Sequence, residues 1–503
     1  MARTKGTTVK ARGSQTAKKK APLKKTPAKV LFVTGEAAPF IRSGGLGDVA
    51  GALPKALKNI DVETRVILPL YGDISSKYTQ TMKFLGKTYV TMGWRNQYVG
   101  IYEGVADGVT YYFIDNEYYF KKPGLYGMKD DDERFIFFCK AVLEALLLID
   151  FDPTVIHCND WHTALVPVFL DVFYRSCDKL RNVKTLFTIH NIEFQGKFDL
   201  YSLSDFGGIP PEKLSLAEYD GCANFMKGGI ECSNAVNTVS PTYAKEILEP
   251  FYSYGLESIL HQRAYKISGI LNGLDTELYN PETDTSLFCN YNLASVEAKR
   301  KNKEEVCRML DLNYREDRPL LSVVSRLTTQ KGLDLLLAVA EELLAGDIQL
   351  VVLGSGDWRF ENALKDLEHR YGAKLRVIIQ FSKDLASKLY GASDIFLMPS
   401  RFEPCGLSQM IAMRYGAVPV VRETGGLKDS VKPFDYHTGK GTGFLFKNYD
   451  ANEMLTAIWK AVDTYYNDKT AWAKLIENDM SEKLDWSTSA VEYKNLYLKI
   501  MSE

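Results

Sequence analysis

Four short segments of this chain hold residue types that could grip a phosphate or a polyol. The first is Arg42-Ser43-Gly44-Gly45-Leu46-Gly47-Asp48, adjacent glycines and a cation ahead of a helical run. Glycine lets backbone N–H groups approach closely, a helix N-terminus favours an anion, and arginine stays charged at any working pH. The pattern is neither G-x-G-x-x-G nor a Walker A loop. It fits a diphosphate cradle or a tight strand-to-helix turn with Arg42 in solvent. The second, His157-Cys158-Asn159-Asp160-Trp161-His162, sets two histidines about an aspartate. They flank a turn and no cysteine pair joins them, so metal binding is the weaker reading. Hydrogen bonds to sugar hydroxyls, or simply a buried and satisfied histidine, fit better.

The third segment, Ser325-Arg326-Leu327-Thr328-Thr329-Gln330-Lys331-Gly332, places Arg326 and Lys331 ahead of a helix. The helix dipole disfavours cations there, which points to a bound anion. Such a pair can neutralise a diphosphate leaving group as its charge develops. The fourth, Arg401-Phe402-Glu403-Pro404-Cys405-Gly406-Leu407, offers Glu403 for positioning a sugar or facing positive charge on it. The alternative is an acid that complements a helix N-terminus.

Each segment needs an element to present it. Val30–Val33, Val155–His157, Thr185–Ile189, Leu320–Ser325, Ile348–Leu353, Ile395–Met398 and Val418–Val421 are short apolar runs that end in polar loops, as buried strands do. Val49–Leu57, Glu133–Leu148 and Gly332–Leu344 carry apolar residues at helical spacing. The alternation predicts α/β architecture with parallel sheets covered by helices. Two such sets imply two lobes, with a hinge around Ser268–Leu274. In open α/β sheets ligands bind at the carboxyl ends of the strands, where all four segments fall.

Composition narrows the classes. The chain has 503 residues, of which 46% are hydrophobic and 25% charged, an ordinary globular balance. No apolar run approaches the ~18 residues of a membrane span, and no apolar segment follows the basic N-terminus as a secretory signal requires. Eight scattered cysteines without a C-x-x-C pair suit free thiols in a reducing, cytoplasmic setting. The net charge of −1 hides an asymmetry: residues 1–29 hold ten Lys and Arg and no acid, so the remainder is acidic, with 52 basic against 63 acidic residues. The arm lacks the apolar content to fold alone. It also lacks aromatics for stacking bases, so no specific nucleic acid is expected.

Arg42–Val49, His157–His162, Thr188–Gly196, Ser325–Gly332, Pro399–Leu407 and Thr424–Val431 occur in one chain in this order, along with Asn224–Gly229 and Gly269–Asp275. In this the chain resembles the bacterial glycogen synthases and plant starch synthases, glycosyltransferase family 5, from about Lys29 to its end. The resemblance implies a GT-B fold, two Rossmann-like lobes facing across a deep interdomain cleft. It implies retaining transfer of glucose from ADP-glucose to the non-reducing end of glycogen or another α-1,4-glucan, with no metal and no cofactor. The chain then divides into a basic arm (1–28), an acceptor-side lobe (29–268), a donor-nucleotide lobe (269–475) and a C-terminal helical segment packing back on the first lobe (476–503).

Carried over by position, Arg326 and Lys331 match the pair that holds the donor diphosphate, Glu403 the acid beside the donor glucose, and His162 the histidine on a glucose hydroxyl. Arg42, Gly44, Gly45, Asn272, Phe381, Cys405, Gly406, Leu407 and Thr424 fall on the donor side, with Phe381 against adenine. Asp48 and Asp130 fall on the acceptor side. Two departures stand out. Arg42 replaces the family's usual lysine, and Asp130-Asp131-Asp132-Glu133 is more acidic than the usual pattern. Ile411 stands where many related retaining transferases carry a second glutamate, which favours family 5 over the sucrose-synthase-like group. A UDP-glucose-dependent enzyme and a non-catalytic glucan- or sugar-nucleotide-binding homologue are the alternatives.

Overall fold

Val30 to Val33 are apolar at every position and buried on both faces of the sheet, as a central parallel strand requires. The computed structural model describes residue 1 and residues 27–503, so nearly all of the arm assigned to 1–28 lies outside the described residues. The first lobe contributes β1 (Lys29–Val33), β2 (Glu63–Pro69), β3 (Lys83–Met92), β4 (Arg95–Ala106), β5 (Val109–Asp115), β6 (Val155–Asn159) and β7 (Lys184–Ile189). A small antiparallel sheet follows, of β8 (Lys197–Phe198), β9 (Glu218–Tyr219) and β10 (Cys222–Asn224). Then come β11 (Ala235–Thr238) and β12 (Ile267–Gly269). The main sheet has nine strands in the order β12-β11-β7-β6-β1-β2-β5-β4-β3.

All neighbours in that sheet are parallel except β5-β4 and β4-β3. This antiparallel extension is absent from the sequence reading. Its strands are half-exposed and rich in Tyr, Thr and Gly, so they lack the apolar runs that mark the buried strands.

The second lobe is a six-stranded, wholly parallel sheet of β13 (Leu320–Val324), β14 (Gln349–Gly354), β15 (Leu375–Ile379), β16 (Ile395–Met398), β17 (Val418–Arg422) and β18 (Phe444–Phe446). Its order is β15-β14-β13-β16-β17-β18. In both sheets the strand order reverses beside the first strand: it runs outward from β1 through β2 and resumes on the other side at β6, and it runs outward from β13 through β14 and β15 and resumes on the other side at β16. At such a switch point the two flanking loops diverge and leave a crevice for a ligand. The loops after β1, β6, β13 and β16 are the four segments singled out by their chemistry.

The chain crosses between lobes twice, and the crossings run side by side. Leu274 N–H donates to the Leu484 carbonyl at 2.6 Å, and Gly273 packs where a Cβ would stand 2.6 Å from Trp486 backbone atoms. The helix Lys469–Ser481 spans the expected 475/476 boundary and puts Trp472 and Leu475 into the second lobe's core. The return therefore occurs at Glu482–Asp485. Beyond it the helix Trp486–Ser502 lies on the first lobe. Tyr497 Oη is 2.9 Å from His157 Nδ1, Asn237 Nδ2 donates to Tyr493 Oη at 3.0 Å, and Lys494 Nζ donates to the Ile60 carbonyl at 2.5 Å. Thr188 Oγ1 lies 2.7 Å from the other nitrogen of His157, so this histidine is a satisfied core residue.

Asp479 is the exception to this good pairing. It is fully buried, neither carboxyl oxygen has a hydrogen-bond partner among the described residues, and burial holds its pKa well above the ordinary 3.8. The unfolded chain releases a proton that the folded chain retains, so this group's contribution to stability declines as pH rises through and beyond 3.8. Asp479→Asn is expected to raise the thermal midpoint, with a gain that grows between about pH 4 and pH 8. A scan at several pH values checks this; a pH-independent effect would remove the burial argument.

Candidate active site

The first lobe's contribution begins where β1 ends. Gly44 precedes the helix Gly45–Lys58 without any side-chain cap, and a Cβ on Gly44 or Gly45 would meet nothing within 4 Å. The helix N-terminus is thus open at Gly44 and Gly45, where an anion could approach the backbone amides. Gly47 differs, because a Cβ there would overlap that of Arg42. This close approach folds the loop back on the helix, and the Arg42 guanidinium pairs with Asp48 in the first turn. Two residues assigned to different substrates therefore form one ion pair, which their spacing on opposite sides of a turn did not reveal. Arg42 also lies near Tyr279 and Lys383, both beyond the first crossing. An open cavity of about 200 Å³ beside the crossings is lined by Arg42, Asp48 and Leu407, but not by His162, Lys331 or Glu403.

Glu36 holds this loop from below. Its buried carboxylate accepts the Ser43 N–H. Burial raises its pKa, while the bonds from Ser43 and Gly47 pull it down. An isolated acid in Gly35-Glu36-Ala37 carried no signal in the sequence.

His162 stands in a short helical turn after β6, between the rings of Tyr126 and Trp161 at 4.1 Å and Phe135 at 4.9 Å. Burial keeps the imidazole neutral. Neither ring nitrogen has a partner among the described residues, and neither does the buried hydroxyl of Tyr126. A Cβ on Gly35 would lie 3.0 Å from that hydroxyl and 3.2 Å from His162 Cγ, so both groups gather beneath one glycine. Each buried unpaired polar group costs about 1–3 kcal/mol, and native folds leave few of them. Several at one point mark where a ligand's hydroxyls would bind. Tyr126 was missed because a tyrosine in a glycine-rich loop reads as ordinary.

Asp160 supports the turn with φ 57°, and it accepts the His190 N–H at 2.7 Å. Burial outweighs that bond and raises its pKa to about 7. The acidic run beyond is shared out. Asp131 accepts the Gly127 N–H at 2.8 Å and pairs with Arg134 at 2.5 Å, Asp132 accepts Ser202 Oγ at 2.5 Å, and Glu133 pairs with Arg95 at 3.2 Å. Asp130, half-buried at the start of its helix, pairs with Lys122.

In the second lobe two loops meet backbone to backbone. Gly332 has φ 74°, and a Cβ there would overlap the Pro399 carbonyl; Arg401 N–H donates to the Gln330 carbonyl at 2.8 Å. This contact brings Lys331 Nζ within 2.5 Å of Glu403 Oε2, with their side chains only 14% and 7% exposed. Ser400 Oγ donates to the same oxygen at 2.9 Å. Arg326, by contrast, is exposed, and among the described residues its side chain bonds Gln330 alone, at 3.1 Å. The arrangement gives one paired cation, one free-standing cation and a fixed carboxylate at the switch point.

The other expected donor-side residues divide. Asn272 is buried with Oδ1 unpaired among the described residues. Gly406 takes φ 72° against Gln409 and Glu403, and Leu407 precedes the helix Ser408–Arg414. Cys405 is buried and its thiol is pushed up to about 12, so it is no reactive thiolate. Phe381 is 83% exposed after β15, which rules out a core role. Thr424 is turned away from the loop of Glu403, because its hydroxyl bonds Glu246 of the first lobe at 2.9 Å. Among the described residues no group of three or more His, Cys, Asp or Glu is arranged to hold a metal ion, and no helix is long and apolar enough to cross a membrane.

Two parallel sheets that present switch-point loops to each other define a two-lobed glycosyltransferase of the GT-B class. Residues 29–262 match the family model described as starch synthase catalytic domain, and residues 310–478 match glycosyl transferases group 1. A glycogen synthase of Clostridium acetobutylicum is 49% identical over 94% of this chain and 100% of its own length. One from Anoxybacillus flavithermus is 46% identical over 94% and 98%. The solved catalytic domain of starch synthase IV from Arabidopsis thaliana, bound to ADP and acarbose, superposes with a TM-score of 0.88 at 33% identity, covering 95% of this chain and 100% of that one. A sucrose-phosphate synthase from Thermosynechococcus elongatus, 16% identical with a TM-score of 0.58 over 94% and 99%, shares the fold. The chain belongs to the glycogen and starch synthase family of glycosyltransferases.

Tyr126→Phe keeps the ring against His162 and removes only the unpaired hydroxyl. Glucosyl transfer is expected to fall about 5- to 10-fold, the worth of one hydrogen bond of ~1–1.4 kcal/mol. The thermal midpoint should hold or rise. Steady-state rates beside a melting curve check this; an unchanged rate would mean that the hydroxyl meets no substrate.

Proposed function

We propose that this chain elongates an α-1,4-glucan such as glycogen by retaining transfer of glucose from ADP-glucose. The observation that carries this reading is the Lys331–Glu403 pair at the switch point of the second sheet, with the exposed Arg326, bonded to Gln330, in the same loop as Lys331. The Arabidopsis relative is bound to ADP and acarbose, which supports a nucleotide and a sugar-like ligand for this chain. Eight unbridged cysteines support a cytoplasmic setting.

In this reading the bond between the glucose anomeric carbon and the ADP phosphate oxygen breaks as the acceptor hydroxyl approaches from the same face. Arg326 and Lys331 neutralise the charge gathering on the departing diphosphate. The amides around Gly406 and Leu407 grip the donor, and Arg42 with the open helix behind Gly44 adds to that grip. Glu403 faces the positive charge that builds on the sugar. His162 and Tyr126 take sugar hydroxyls and so complete their own hydrogen bonding, and Asn272 lies on the donor side with Oδ1 still to pair. The acceptor proton passes to a phosphate oxygen of ADP. Phe381, already exposed, offers its ring to adenine. Asp48 and Asp130 stand on the acceptor side, each held by a neighbouring cation.

Purified protein given ADP-glucose is expected to release ADP only when glycogen is present, and to do so faster than it releases UDP from UDP-glucose. Lys331→Ala and Arg326→Ala should each lower kcat about 10²-fold, as loss of a transition-state charge contact does. A rise in KM at unchanged kcat would reduce these residues to ground-state binding. Glycogen binding without turnover of either donor would instead favour a non-catalytic glucan-binding protein.

A further inference from the structure

We propose that Glu246, a residue of the first lobe, is a positioning residue for Glu403 in the second. Glu246 ends the short helix Pro241–Glu246. A carboxylate at the C-terminal end of its own helix opposes the dipole, and burial further disfavours its charge. Among the described residues the carboxylate's hydrogen-bond partners all lie in the other lobe. There its oxygens accept Thr424 Oγ1 at 2.9 Å and the Gly425 N–H at 3.1 and 3.0 Å, with Arg422 nearby.

The rest of that helix is tied across the same seam. Ser240 Oγ donates to the Pro404 carbonyl at 2.7 Å, and Thr242 donates from both N–H and Oγ1 to Asp429 at 2.7 Å. A Cβ on Gly269 would overlap the Ser240 carbonyl, so the seam lies beside the first crossing and forms a fulcrum rather than the mouth of the cleft.

From Glu246 the contacts run to Glu403 without slack. Gly425 takes φ 42°, and a Cβ there would overlap the Glu403 carbonyl; Gly426 N–H donates to that carbonyl at 3.0 Å and to Pro404 at 3.2 Å. The Thr424–Gly426 backbone therefore cannot shift without moving the backbone that carries Glu403. The Glu403 carboxylate is in turn set against Lys331 and Ser400. Glu246 thus places the donor-side carboxylate relative to the first lobe, which is where the acceptor would bind. The inference rests on the reading of Glu403 given above.

The test compares Glu246→Ala, Glu246→Gln, Glu403→Gln and the double variant Glu246→Ala/Glu403→Gln in the full chain. It measures kcat and KM for ADP-glucose, ADP affinity by calorimetry, and thermal midpoints. Glu246→Ala is expected to lower kcat about 10-fold or more, since small misplacements at a reacting centre cost up to ~10²-fold, with ADP affinity changed less than about 2-fold. Glu246→Gln, which keeps an acceptor for the Gly425 N–H, should recover part of that loss. The double variant should be no slower than Glu403→Gln alone, because residues acting through one group are non-additive. Multiplying losses, or a lower midpoint at unchanged kcat in both Glu246 variants, would overturn the inference. An active Glu403→Gln would instead remove the reading of Glu403 on which it rests.

Discussion

Lys331 and Glu403 lie 2.5 Å apart because two loops of the second sheet touch through their backbones. The contact depends on Gly332 against the Pro399 carbonyl and on the bond from Arg401 to Gln330. Ions this poorly hydrated need partners, and each supplies the other's, with Ser400 adding a further bond. This pair is therefore satisfied within the protein before any ligand arrives. In the proposed function a substrate phosphate would join a charge pattern already set, the preorganisation that makes electrostatic stabilisation effective.

The first lobe is built the other way. His162, Tyr126 and their neighbours are held by stacking rather than by hydrogen bonds, so their polar atoms are positioned but unpaired. Such a surface costs stability in the free protein and recovers it when a ligand supplies partners. In the proposed function it would select hydroxyl groups placed to pair with it. One lobe offers fixed charge and the other offers unfilled hydrogen bonds, which is what the proposed substrate, with a diphosphate at one end and a sugar at the other, would use.

The two halves are kept in relation by the crossings and the seam beneath the cleft. The chain's last helix belongs to the first lobe, with Tyr497 and Tyr493 buried against His157 and Asn237. Chain therefore passes between the lobes at both Ile270–Asp275 and Glu482–Asp485, and a paired connection resists twisting more than a single one. Glu246, Thr242 and Ser240 add side-chain ties on the same side.

The sequence by itself determined the buried strands and where they end. Val30–Val33 and Ile395–Met398 are continuous apolar runs, Val155–His157 and Leu320–Val324 are nearly so, and each stops at a loop rich in polar and small residues. It also carried the motif order that identifies the family. Much else was decided only by tertiary structure. The Arg42–Asp48 pair, the sharing out of Asp130 to Glu133, the turning of Thr424 toward Glu246 and the gathering of Tyr126 with His162 beneath Gly35 join residues whose types read alike wherever they stand. The half-exposed strands β3 and β4 were hidden for a related reason, since their pattern reflects one covered face rather than two. Hydrophobic burial is written locally, residue by residue along a strand, whereas the partner of a charge or hydroxyl is set by which loops the fold brings together.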